Sequence, residues 1–190
     1  MTFFNDYYYK TNYGYARKNF DGTAFILEKD LKINEDDYYI KKVPYFDNIL
    51  SGKNLEDVLT FETSLDEFKV AIELVGTEVE LFEEDIKYLW NIYFVSAKDG
   101  CFLSSEKYDD LTSCYPIKFV GKGEEIKRIY FSPKLLLNCL EDVKEETDEK
   151  ILIEVKQYDN KDDMYIMKIT FENLDMYICG MSGGEDDARK

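Results

Sequence analysis

Histidine is absent from the chain. That removes the commonest general base, the commonest metal ligand and every Ser-His or Cys-His nucleophile pair. Cysteine is scarce: Cys101, Cys114, Cys139 and Cys179 lie 13, 25 and 40 residues apart, with no Cys-x-x-Cys pair. A zinc site would need all four without the paired spacing such sites use, so reduced thiols in a reducing compartment are expected. Basic residues are few, with 24 Lys and Arg against 40 Asp and Glu and a net charge of −16. A surface of that sign repels a phosphate backbone at long range. No apolar run approaches membrane-spanning length. The N-terminal "MTFFNDYYYK" lacks the basic start and apolar stretch of a signal peptide. These absences point to a cytoplasmic protein with no membrane partner and no cofactor.

Aromatics are plentiful, at 16% of 190 residues, and apolar residues reach 45%. That composition builds a packed core and argues against disorder. Residues 1–20 carry Lys10, Arg17 and Lys18 against Asp6, which leaves −18 on the remaining 170 residues.

The first segment, "MTFFNDYYYKTNYGYARKNF", is dense in rings with almost no aliphatics, which favours strand or extended arm. Strands are expected at 24–33 and 37–43, then a connector from Pro44 to Asn54. "TFETSLDEFKVAIELVG" reads as a helix. Ser64 and Glu67 make a capping box, Leu65, Phe68, Ile72 and Val75 share one face, and Gly76 supplies a stop. Strands follow at 88–97 and 101–107, joined by a Lys98-Asp99-Gly100 turn, and then at 115–120 and 126–131. Ser132 is an N-cap and Pro133 the first residue of a second helix, whose buried face holds Leu136, Cys139 or Leu140, and Val143. Strands at 151–158, 164–171 and 175–179 complete the order.

The expected fold class is therefore α+β. A βαβββ unit occurs twice, and two short helices lie on antiparallel sheet. Residues 1–57 form an aromatic-rich β segment or a partial domain with a linker, 58–181 the main domain, and 182–190 a mobile acidic tail.

Four stretches in this order, "LKINEDDYYIKKVPYFDN", "FETSLDEFKVAIELV", "NIYFVSAKDGCFLSSEKYDDL" and "IYFSPKLLLNCLEDV" with "KILIEV", resemble one domain of a DNA sliding clamp of the bacterial DNA polymerase III beta-subunit family. The resemblance implies the fold. A clamp subunit of that family has three such domains, and its helices present basic faces to DNA. Here the outward positions are Asp66, Glu67, Lys69 and Glu73 on the first helix and Lys134, Asn138, Glu141 and Asp142 on the second. Tyr108-Asp109-Asp110 stands where the family usually has an Arg, and the family's C-terminal Met-Pro-Met-Arg-Leu-type end is replaced by "YICGM".

Three constellations carry candidate chemistry. Tyr7, Tyr8, Tyr9, Tyr13 and Tyr15 interleave with Lys10, Arg17 and Lys18. Such a mixture stacks bases, anchors protein interfaces, or simply covers a sheet edge. The acidic runs 78–85 and 141–149, including Glu141, Asp142, Glu145 and Glu146, are solvated loops or mimics of phosphate spacing. Glu154-x-Lys156 on a strand matches part of a Mg²⁺-dependent nuclease site. That site needs an Asp on a preceding strand, for which Asp148 and Asp142 are poorly placed; in the simpler account both side chains face outward or pair. The sequence thus favours a non-enzymatic protein-binding module acting on replication or nucleic-acid-processing machinery as a reduced clamp, clamp partner or decoy. The alternative is an acidic, phage-type inhibitor, such as a DNA-mimic anti-CRISPR or anti-restriction protein. The expected partner is a protein with a basic nucleic-acid-binding surface or one from the replication machinery, and no direct duplex DNA binding is expected.

Overall fold

The computed structural model describes residues 3–29, 31–33, 44–82, 92–97, 100–104, 114–117, 127–143, 150–158 and 164–182. Its elements are β1 (Tyr9–Thr11), β2 (Gly14–Lys18), β3 (Ala24–Glu28), α1 (Pro44–Ser51), β4 (Leu55–Ser64), α2 (Leu65–Phe82), β5 (Ile92–Ala97), β6 (Gly100–Ser104), β7 (Cys114–Ile117), β8 (Lys127–Phe131), α3 (Pro133–Glu141), β9 (Lys150–Tyr158), β10 (Met164–Thr170) and β11 (Leu174–Ser182). From β4 onward the expected order, strand, helix and three strands, is present twice.

The two units exchange their first strands. β4 pairs with β9 of the second unit, placing Thr60 opposite Glu154, and β8 pairs with β5 of the first, placing Ile129 opposite Phe94. Each unit keeps its own antiparallel meander, β5-β6-β7 and β9-β10-β11. The exchange ties the units into one core, in which residues of both helices and of strands from both units pack together.

β11 joins the parts. One edge pairs with β10 along its length. The other pairs first with β3, from Leu174 opposite Glu28 to Ile178 opposite Ala24, and then with β8, where Met181 faces Tyr130. Through β3, the β1-β2-β3 meander extends the sheet.

Alternation along the strands explains the layers. Ile151, Ile153 and Val155 of β9 and Tyr165, Met167 and Ile169 of β10 point into the main core. There they meet Leu65, Phe68, Ile72 and Val75 of α2 and Leu136, Cys139 and Leu140 of α3. Phe61, Phe68, Phe94 and Phe131 form a chain of ring contacts with centroids 5.6 to 6.2 Å apart. The alternate residues Ile166 and Tyr177 lie on the opposite face, in a second cluster with Ala16, Phe25, Leu27, Phe46 and Ile49.

That second cluster corrects the expected connector. Pro44–Ser51 is a helix, α1, because Phe46 and Ile49 at i, i+3 bury against the sheet. Pro44 suits a first helical turn, and Gly52, at φ +64°, ends it. The strand expected at 24–33 stops at Glu28, and the one expected at 37–43 lies outside the described residues.

Gly76 does not stop α2, which runs on to Phe82 into the first part of the expected acidic loop. Its bare backbone instead lies close to the next helix: a Cβ there would stand 3.1 Å from the Cβ of Pro133, so glycine eases the approach of α2 to α3. The capping box is half formed. Ser64 Oγ accepts from the Glu67 amide at 3.1 Å, while the Glu67 carboxylate accepts from the Thr63 hydroxyl at 3.0 Å. Ser132 caps α3 as expected, accepting from the Leu135 amide at 3.3 Å. No helix among the described residues is long and apolar enough to cross a membrane.

Candidate interaction surfaces

The turn between β2 and β3 is built around Asn19, which is buried. Its side-chain amide donates to Thr23 Oγ1 at 3.0 Å, its side-chain carbonyl accepts from the Ala24 amide at 3.1 Å, and its own backbone amide donates to the Ala24 carbonyl at 3.0 Å. Asp21 Oδ1 accepts from the Thr23 amide at 3.0 Å and from the Thr23 hydroxyl at 2.7 Å. These two bonds, the backbone one first, hold the Asp21 carboxyl below its ordinary range. Gly22 supplies the left-handed step at φ +80°. This pinned turn presents Phe20, which is 98% exposed.

Opposite the turn lies the outward side of α3. Between them runs a groove of about 740 Å³, with Phe20 and Asp21 on one wall and Lys134, Leu135, Asn138 and Glu141 on the other. The Phe4 amide donates to Asp142 Oδ2 at 3.2 Å, and Phe4 also bridges Asn19, which links the base of the turn to the end of α3. Asp142 is thus half-buried and bonded rather than projecting freely, and Lys69 and Asn138 are also half-buried where sequence spacing placed them outward. Asp66, Glu67, Glu73, Lys134 and Glu141 are exposed as expected.

The tyrosines of the N-terminal segment do not form one stacking surface. Tyr7 and Tyr13 are exposed. Tyr8 lies under the Arg17 guanidinium at 5.7 Å, and Tyr9 meets Phe46 edge-on at 5.6 Å. Tyr15 is half-buried. Arg17 pairs with Glu28 at 3.0 Å, so its charge is engaged within the sheet. Glu145 and Glu146 lie outside the described residues.

Glu154 and Lys156 sit in a row of alternating charges that crosses the sheet. Lys156 Nζ lies 2.6 Å from Asp57 and 3.1 Å from Glu154, Lys168 lies 3.4 Å from Glu154 and 3.4 Å from Asp175, and Lys29 lies 3.0 Å from Asp175. Asp57, on β4, is the neighbouring-strand carboxylate that the sequence reading lacked; Asp148 lies outside the described residues. The Lys156 ammonium occupies the space between Asp57 and Glu154 that a divalent cation would need. Burial pulls its pKa down, and the bonds and charges of Asp57 and Glu154 more than reverse this. Among the described residues no group of His, Cys, Asp and Glu is arranged to hold a metal ion. The arrangement is that of a paired sheet surface.

Cys139 is fully buried, and burial pushes its thiol far above the ordinary value, so it is inert as a nucleophile. Phe20 was missed as a site residue because it closes an aromatic run. The signal was the Asp21-Gly22 pair directly after it, which puts the ring at a turn.

No protein-family model matches the chain, and no curated protein does. Among solved structures it is similar to a beta clamp from H. pylori, determined in complex with 5-chloroisatin, at 13% identity and a TM-score of 0.45, covering 89% of this chain and 43% of that one. The chain therefore spans less than half the length of that clamp. The fold itself is α+β, with a βαβββ unit present twice and the first strands of the two units exchanged.

Proposed function

We propose that the chain is a non-enzymatic protein-binding module on a sliding-clamp-like scaffold, acting on replication or nucleic-acid-processing machinery as a reduced clamp, a clamp partner or a decoy. The observation that carries this reading is the groove beside α3, with an exposed ring on one wall and carboxylates on both. An apolar anchor within a polar rim is what protein recognition uses. Among the described residues, the fully exposed charges of α2 and α3 are Asp66, Glu67, Glu73 and Glu141 against Lys134, with Lys69 half-buried beside them. Such faces lack the cations that would neutralise phosphates.

The excess of carboxylates on these faces also favours a second reading, an acidic inhibitor that occupies the basic groove of a nucleic-acid-binding enzyme. Both readings require a protein partner. Two measurements test them. Anisotropy titration of the full chain with random duplex DNA at physiological salt should show no micromolar binding. Affinity capture from the native host should bring down a replication protein, or, under the second reading, a nuclease or defence complex with a basic groove. Steeply salt-dependent micromolar binding to random duplex would overturn both.

A further inference from the structure

We infer that the groove between the β2–β3 turn and α3 takes a short protein segment in which one apolar side chain is flanked by Lys or Arg; this rests on the reading of the chain as a protein-binding module. The groove's volume of about 740 Å³ admits a few side chains, not a folded domain. Phe20 and Leu135 supply apolar surface from opposite walls, the first 98% exposed and the second half-buried. The hydrogen bonds of Asn19 and Asp21 fix the backbone on either side of Phe20, so little backbone ordering remains for binding to complete.

Charge selects the flanking residues. Asp21, Glu141 and Asp142 line the groove against Lys134 alone. The bonds from Thr23 keep Asp21 ionised, Glu141 is exposed, and Asp142 gives one oxygen to the Phe4 amide. An acidic segment or a nucleic-acid strand would meet this surface with like charge, whereas a Lys or Arg beside the anchor meets opposite charge. Asn138, on the groove side of α3, offers an amide to the backbone of an extended segment.

The test selects a random seven-residue peptide display library on the full chain and measures the enriched peptides against wild type, Phe20→Ser and Glu141→Lys. Both residues are exposed, so both variants should unfold at the wild-type denaturant midpoint. Enriched peptides should carry an apolar residue next to Lys or Arg, and each substitution should weaken them by about tenfold or more. Enrichment of acidic or uncharged peptides, binding that neither substitution alters, or no enrichment at all would each overturn the inference. Capture from the native host separates this failure from that of the broader reading. A partner retained equally by wild type and the double variant removes the groove and leaves the binding module standing, whereas micromolar duplex DNA binding without a captured protein removes the module itself.

Discussion

Gly180 on β11 and Phe131 at the end of β8 share a space that one added carbon would fill: a Cβ at Gly180 would lie 2.7 Å from Cδ1 of the Phe131 ring and closer still to Cε1 and Cζ. The ring is fully buried and packs edge-on against Phe94, so it has nowhere to move. This is the seam where β11 leaves β3 and takes up β8. Gly180→Ala should therefore destabilise the fold by about 1–3 kcal/mol or more through overpacking. Gly76→Ala should cost less, because alanine's helix preference of about 1 kcal/mol offsets part of its contact with Pro133. Urea denaturation of both variants checks the order; a Gly180→Ala protein as stable as wild type would mean the seam is drawn wrongly.

Ile72, Leu136 and Leu140 are fully buried between the helices and the sheet. Replacing any one with Ala should cost about 2–5 kcal/mol. Exposed Glu73→Ala or Glu141→Ala should stay within about 0.5 kcal/mol. A flat response at all three apolar sites would reject the placement of α2 and α3.

The strand and helix order was legible because it rests on local signals: alternation in 151–155, the Ser132-Pro133 start, and the apolar spacing of Leu65, Phe68, Ile72 and Val75. What failed depended on contacts across the fold. Gly76 has the same letter whether it ends a helix or admits a neighbouring one, and only the position of Pro133 decides. α1 has too few residues for a clear helical period, and the sheet face that stabilises it comes from β3, β10 and β11. Asp57 meets Lys156 through a pairing of β4 with β9 that no local pattern announces. For the groove, Glu141 and Asp142 were legible as acidic positions near a helix end. Their neighbour Phe20 was not, because it comes from 121 or more residues earlier in the chain.

Stability should be lost at alkaline pH. Burial pushes the Tyr177 phenol up, helped by the charges of Asp175 and Glu154, and Lys156 is raised on balance by Asp57 and Glu154. In both cases the folded state holds the proton more tightly than the unfolded state. Their contribution is therefore full below the unfolded values of 10.0 and 10.5 and falls away as pH rises past them. Asp21 has the opposite sign: its contribution is present above 3.8 and falls away as pH drops below that value. Tyr177→Phe keeps the stacked contact with Phe25 at 4.7 Å and should flatten the alkaline decline. Unfolding midpoints measured across the alkaline range check this, and an unchanged slope in the variant would rule out Tyr177 as a source.

Binding kinetics should separate steering from anchoring. Charge reversal at Glu141 should slow association with the captured partner, because this carboxylate would draw a basic surface toward the groove. The wild-type on-rate should fall as salt rises, since steering is screened beyond about 8 Å at physiological ionic strength. Phe20→Ser should mainly raise the off-rate, as loss of a buried anchor does. Tyr7→Ala and Tyr13→Ala, at the exposed rings of the N-terminal segment, should raise the off-rate only where that segment extends the contact. Arg17 is a poor probe of the same question, because its ion pair with Glu28 and its place over Tyr8 make its removal a change to the sheet itself. Surface plasmon resonance at several salt concentrations gives both rates. If charge reversal leaves the on-rate unchanged and Phe20→Ser leaves the off-rate unchanged, the partner binds elsewhere than along α3.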